Sequence, residues 1–138
     1  MRTFEILDHT GDIGIIVYGR DLNELFFNAG RAFTSLLTNL NRIRTTLDRT
    51  IVLESKNLEE LMVAWLGELL YLFDAKALLF RKFYLEKVNR YSLRATARGE
   101  LFQPERHLLK REIKAVTYHL VKVENKDGRW QGRIIFDL

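Results

Sequence analysis

From Asp21 onward, apolar residues return every three or four positions, at Leu22, Leu25, Phe26, Ala29, Phe33, Leu36 and Leu37. That spacing is one buried face of a helix. Asp21 stands where a cap belongs and Glu24 follows three residues later, the arrangement of a capping box. The pattern predicts a first helix that ends near Asn39. Asn57 and Glu60 repeat the box, followed by a stripe at Leu58, Leu61, Trp65, Leu69 and Phe73 that Met62, Leu66 and Leu70 broaden. So wide a stripe predicts a nearly buried second helix.

Elsewhere the period is two. Tyr91, Leu93, Ala95 and Ala97 alternate with Ser92, Arg94, Thr96 and Arg98, as in a strand with one wet face. Residues 49–54, 79–87, 116–124 and 130–137 have the same character, and Asp127-Gly128 is a hairpin turn between the last two. Residues 4–7 and 13–18 make a first pair. Two helices and about seven strands in the order ββαβαββββ predict an α+β fold: one domain over residues 1–138, mostly antiparallel sheet with two long helices packed on it.

Composition agrees with a single folded unit. A chain of 138 residues suits one core, and the one proline, Pro104, marks no linker. Hydrophobic residues at 47% and charged residues at 29% are ordinary globular values. The lack of cysteine excludes disulfides, thiolate metal sites and a catalytic thiol. The opening MRTFEILDHT has no apolar signal core, and no 18-residue apolar run occurs, so the expectation is a cytoplasmic protein without a membrane partner. The net charge of +4 is scattered over residues such as Arg42, Arg44, Arg49, Arg81, Lys82, Arg94, Arg98, Lys110 and Arg111. This resembles a solvated surface, with weak steering toward RNA or an acidic protein.

Standard sites are missing from the sequence: no GxxxxGK[ST], no GxGxxG after a strand, no GxSxG, no HExxH and no Cys/His zinc spacing. What remains is a set of polar residues at the edges of apolar elements: His9 and Asp12 in HTGDIGI, Glu68, then Lys114, Tyr118 and His119 in EIKAVTYH, and Asp137 after Ile134, Ile135 and Phe136. Asp12 between Gly11 and Gly14 fits a turn residue as well as a ligand, since aspartate favours turns for its own hydrogen bonds and glycine lets a ligand approach the main chain. Asp137 needs water or a partner at the end of so apolar a strand. If Leu138 ends the chain, its carboxylate crowds Asp137 and favours a cation there. Carboxylates with main-chain oxygens suit Ca²⁺, Mg²⁺ or Mn²⁺, provided the first and last strands are neighbours. His9 and His119, without the i, i+3 or i, i+4 companion of a helical metal site, fit hydrogen-bonded core or rim residues better than ligands, Lys114 fits a cleft or the solvent, and Trp65 and Trp130 fit core and hairpin packing.

Taken together, HTGDIGI (9–15), LGELLYLFD (66–74), GELFQPERH (99–107), EIKAVTYH (112–119) and the final FDL span nearly the whole chain and resemble the archease family. Archeases are small partners of the RNA ligase that joins tRNA halves in splicing from 3′-phosphate ends. The resemblance implies a divalent ion held by Asp12 and Asp137 with an oxygen of Leu138; His9, Lys114, Tyr118 and His119, picked out by their place at element edges, are candidates for partner contact or support of that site. It also implies a non-enzyme that speeds GTP-dependent guanylylation of a ligase histidine, supports multiple turnover and can widen nucleotide use, touching tRNA at most indirectly and DNA not at all. Two positions depart from the family pattern: Gly11, where alanine is usual, and Gln103, where Asp or Asn is common. The alternatives are an independent metal-dependent hydrolase with His9 or His119 as base, and a basic RNA-binding module.

Overall fold

The computed structural model describes residues 2–138, with His9 described through its backbone alone. Strands β1 (Phe4–His9) and β2 (Asp12–Gly19) form a hairpin, followed by helix α1 (Leu22–Leu37) and a short 3-10 turn at Leu40–Arg42. Next come β3 (Leu47–Glu54), α2 (Leu58–Lys76), β4 (Leu78–Val88) and β5 (Ser92–Leu101). A long strap then leads to β6 (Ala115–Val116), β7 (Lys122–Lys126) and β8 (Arg129–Asp137). All strand pairs among the described residues are antiparallel, as expected, and they form two sheets. One is a five-stranded sheet in the order β1-β2-β8-β6, with β7 also on β8; the other is β3-β5-β4.

The two helices lie between the sheets, which explains their sequences. α1 packs against both β2 and β4, and α2 reaches β6 and β7 on one side and β3, β4 and β5 on the other. A helix pressed from two sides has little polar face to keep, hence the buried run Leu61, Met62, Val63, Trp65, Leu66, Leu69, Leu70 and Leu72. Trp65 ties the layers: its indole N–H donates to the Phe26 carbonyl at 2.9 Å, and its ring meets Phe83 edge-on at 5.7 Å. Trp130 sits half-buried in the last hairpin, opposite Gly19 and Asn125.

Both capping signals are real, with one shift. Asp21 and Asn57 accept from the N–H of Glu24 and Glu60, each at 2.8 Å. The glutamates reach back one residue further than a capping box requires, to the N–H of Arg20 and Lys56. The Asp127-Gly128 turn has φ of 56° and 82°, the doubly left-handed geometry of a tight hairpin.

The expected strand over 116–124 is broken. β6 and β7 are two halves of one edge along β8, and residues 118–121 are extruded opposite Ile134. Leu120 takes φ 55°, the Tyr118 carbonyl accepts from Val121 N–H, and Arg133 Nε holds the Leu120 carbonyl at 2.8 Å. No helix among the described residues is long and apolar enough to cross a membrane.

Candidate metal-binding site

The β1–β2 hairpin turns through Thr10 and Gly11, and Gly11 sits at φ 83°, where a Cβ would be strained. Asp12 opens β2 at this turn, and the β2–β8 register sets it directly opposite Asp137. Side chains opposed in this way share one face of the sheet, with Cβ atoms roughly 4.5–5.5 Å apart. The pairing is fixed by burial, because Ile13, Ile15 and Val17 of β2 and Ile134 and Phe136 of β8 all enter the core. A one-residue slip would turn them out into water. Gly14 plays a different part from Gly11: a Cβ there would come within 2.8 Å of Ile135 Cδ1. It is a packing position in the sheet.

The pair is electrostatically unfinished. Asp12 Oδ1 is buried and has no hydrogen-bond partner among the described residues, and its cross-strand neighbour is a second carboxylate. A buried carboxylate oxygen without a donor is costly, as are like charges set opposite each other. Main-chain groups complete the surroundings. Leu138, half-buried against the core, donates its N–H to the Gly11 carbonyl at 3.3 Å, and Lys114 donates its N–H to the Asp137 carbonyl at 2.8 Å. On the far side of Asp137 the register partner is Ala115, which brings no bulk to the spot. An orphaned oxygen, a facing carboxylate and nearby carbonyls form a hard donor set that fits a divalent cation of the Ca²⁺, Mg²⁺ or Mn²⁺ kind. No cluster of three or more Asp, Glu, His or Cys side chains suited to a metal occurs among the described residues, so a cation here would draw further ligands from main-chain oxygens and water.

The other expected residues are placed unevenly. Lys114 is tied to Asp137 through its backbone; its side chain is exposed and has no carboxylate partner among the described residues. Lys114, Val116 and Tyr118 do not line one strand face, because β6 spans only Ala115–Val116. Tyr118 and His119 lie in the extruded segment, exposed to solvent. The backbone register sets His9 beside Asp12; its side chain lies outside the described residues. Glu68 is half-buried on α2.

A buried polar network escaped the sequence patterns. Glu100, at the end of β5, accepts the Arg44 N–H at 2.7 Å, meets His107 Nε2 at 2.9 Å and pairs with Arg106. Gln103 N–H donates to His107 Nδ1 at 2.9 Å, so the ring proton sits on Nε2 and points at Glu100. Burial pushes the Glu100 carboxyl up, but the Arg44 N–H, His107 and Arg106 together bring it below the ordinary value. The network starts the strap that leads to Lys114. Further along, Lys110 N–H, Lys110 Nζ and Arg111 Nη1 donate to the carbonyls of Leu37, Ser35 and Leu36. These cap the C-terminal end of α1, which has no basic residue in its own last turn. The legible signal was a lone glutamate in an alternating strand with Arg and His six and seven positions later.

Comparison with known proteins gives one consistent result. A family model described as "Archease protein family (MTH1598/TM1083)" matches residues 4–138. The Protein archease of Pyrococcus furiosus is 40% identical over 142 residues, covering 100% of both chains. That of Methanosarcina mazei is 37% identical over 141 residues, covering 99% of this chain and 97% of its own. The solution structure of Methanobacterium thermoautotrophicum protein 1598 superposes with a TM-score of 0.86 at 36% identity, covering all of both chains.

Proposed function

The chain belongs to the archease family, and from that premise we propose that it is an accessory activator of a tRNA-splicing RNA ligase in the cytoplasm. In this reading it promotes GTP-dependent guanylylation of the ligase and its multiple turnover, without itself catalysing the joining. At the Asp12–Asp137 end of the molecule, contact with tRNA is indirect, through the ligase.

The observation that supports this is the Asp12–Asp137 cross-strand pair with its orphaned Oδ1. The two carboxylates, with an oxygen of Leu138, would hold the divalent ion. When bound, such an ion neutralises phosphate charge and helps to organise a neighbouring active site. The chain's own residues do the positioning. The Gly11 turn aims Asp12 across the ladder, the Gly11 carbonyl holds Leu138 in place, and Lys114, fixed by its N–H to Asp137, adds a cation that can meet an anionic group of the ligase or its nucleotide. No nucleophile or base is asked of this protein.

A multiple-turnover ligation assay with purified ligase tests the proposal. Asp12→Ala and Asp137→Ala should each fold and give no stimulation over ligase alone. Full stimulation by either folded variant removes the site from the mechanism. Joined or hydrolysed product from this protein without ligase overturns the accessory role.

A further inference from the structure

At the opposite end of the β2–β8 pair, a cavity of about 280 Å³ opens beside the first turns of α1, lined by Arg2, Tyr18, Arg20, Phe27, Asn28 and Arg129 among others. Three arginines from separate parts of the chain surround it, against one lining carboxylate, Glu24. Arg20 engages Glu24 through Nε and Nη2 at 3.0 and 2.8 Å, which leaves its remaining N–H groups unspent. Arg2 pairs outside the cavity with Glu5 at 2.7 Å. Arg129 has no carboxylate partner among the described residues; its guanidinium carbon lies over the Tyr18 ring, 4.3 Å from the centroid, and its Nη2 donates to the Arg2 carbonyl. Tyr18 itself is fixed by its hydroxyl bond to Glu5.

The lining offers more than charge. Asn28 is only 8% exposed, and its amide nitrogen donates to the Tyr18 carbonyl at 2.8 Å. Its Oδ1 then remains as an acceptor with no partner among the described residues. Phe27 adds an aromatic wall. Beyond Glu24 and Phe27 lies a second hollow, of about 440 Å³, lined by Asp21, Glu24 and Glu86 and by no lysine or arginine. The positive character therefore belongs to the first cavity and not to this end of the molecule at large.

We propose that the arginine-lined cavity binds one nucleotide unit, its base between Phe27 and the Asn28 carbonyl and its phosphate on Arg129 and Arg20. Guanidinium groups match phosphate geometry with paired N–H donors. A flat base gains from an aromatic wall, and the Asn28 side-chain oxygen offers a base N–H an acceptor. The volume lies just under the roughly 300–1,000 Å³ of ordinary ligand pockets, room for one base and not two. The unit is either a free nucleotide or the phosphorylated end of an RNA strand. The inference does not rest on the ligase proposal, since the cavity shares no residue with the Asp12–Asp137 pair.

Amide chemical shifts of the full chain, titrated with the four 5′-ribonucleoside monophosphates, test it. Saturable shifts at Tyr18, Asn28 and Arg129 are expected, with nucleosides and inorganic phosphate each at least tenfold weaker. Arg129→Met and Arg20→Met should each weaken binding at least tenfold with the spectrum otherwise native, and Asp12→Asn should leave it unchanged. Tighter binding of a phosphorylated trinucleotide than of its monomer identifies a strand end; equal or weaker binding identifies a free nucleotide. Unsaturated or scattered shifts, phosphate binding as tightly as nucleotide, or wild-type affinity in both arginine variants overturns the proposal.

Discussion

Glu100 Oε2 lies 2.9 Å from His107 Nε2 in the interior, and the same carboxylate takes the Arg44 N–H and the Arg106 guanidinium. One side chain thus ties β5, the segment before β3 and the strap into a single unit. Removing it strands three donors at once.

Glu100→Ala should therefore destabilise the fold by about 3 kcal/mol, the low end for breaking a buried pair, because Arg106 retains some access to water. Urea unfolding measures this directly. A loss below about 1 kcal/mol, the size of a single hydrogen bond, would mean that the strap is held elsewhere.

The same carboxylate sets a pH dependence. Its folded pKa is below its ordinary value of 4.5, so its contribution to stability is complete above that value and is lost as pH falls through the folded pKa. Stability measured from pH 6 downward should drop in the acid range, and Glu100→Gln should flatten that limb. An identical acid limb in the variant would assign the effect to other carboxylates.

Asp12 and Asp137 oppose each other, and without a cation that opposition is unfavourable. Asp137→Asn should raise metal-free stability by about 0.2–1 kcal/mol. Adding a divalent ion should reverse the order. At a hundred times its Kd it stabilises the natural chain by about 2.7 kcal/mol and the variant far less. Thermal melts with EDTA, Ca²⁺, Mg²⁺ and Mn²⁺ read this without any ligase. Equal ion response in both proteins would separate the carboxylates from cation binding.

Ala77 closes α2 in the left-handed region at φ 57°, with its N–H on the Leu72 and Phe73 carbonyls. A Cβ is penalised there by roughly 1–2 kcal/mol, which glycine avoids. Ala77→Gly should stabilise the protein by about 1 kcal/mol, visible as a higher melting temperature. A lower one would mean that the Ala77 methyl group contributes packing that outweighs its strain.

These cases also show what could be read from the residue pattern. The helices were legible because cap and period agree at Asp21 and Asn57, and the Asp127-Gly128 turn because its chemistry is local. The break between β6 and β7 was not: Tyr118-His119-Leu120-Val121 holds no glycine, proline or aspartate, and Leu120 enters its left-handed conformation because Arg133 and the resumed pairing of β7 impose it. How the strands divide into two sheets was not legible, because alternation reports a wet face and a dry face, not which partner makes it dry. The closeness of Asp12 to Asp137 depends on long-range pairing that no local spacing encodes; it was anticipated only through family likeness. Glu100 was overlooked because a shift in the β4–β5 register between Phe80 and Lys82 leaves Gly99 and Glu100 both buried and disrupts the alternation.

The β2–β8 ladder has eight registered pairs, from Asp12–Asp137 to Gly19–Trp130, and so acts as a spacer of about 23 Å at the usual rise per residue. Its buried side chains forbid sliding, which makes it a poor transmitter of mechanical signals. Occupancy at one tip should leave affinity at the other unaltered, and a partner spanning both would have to match that length.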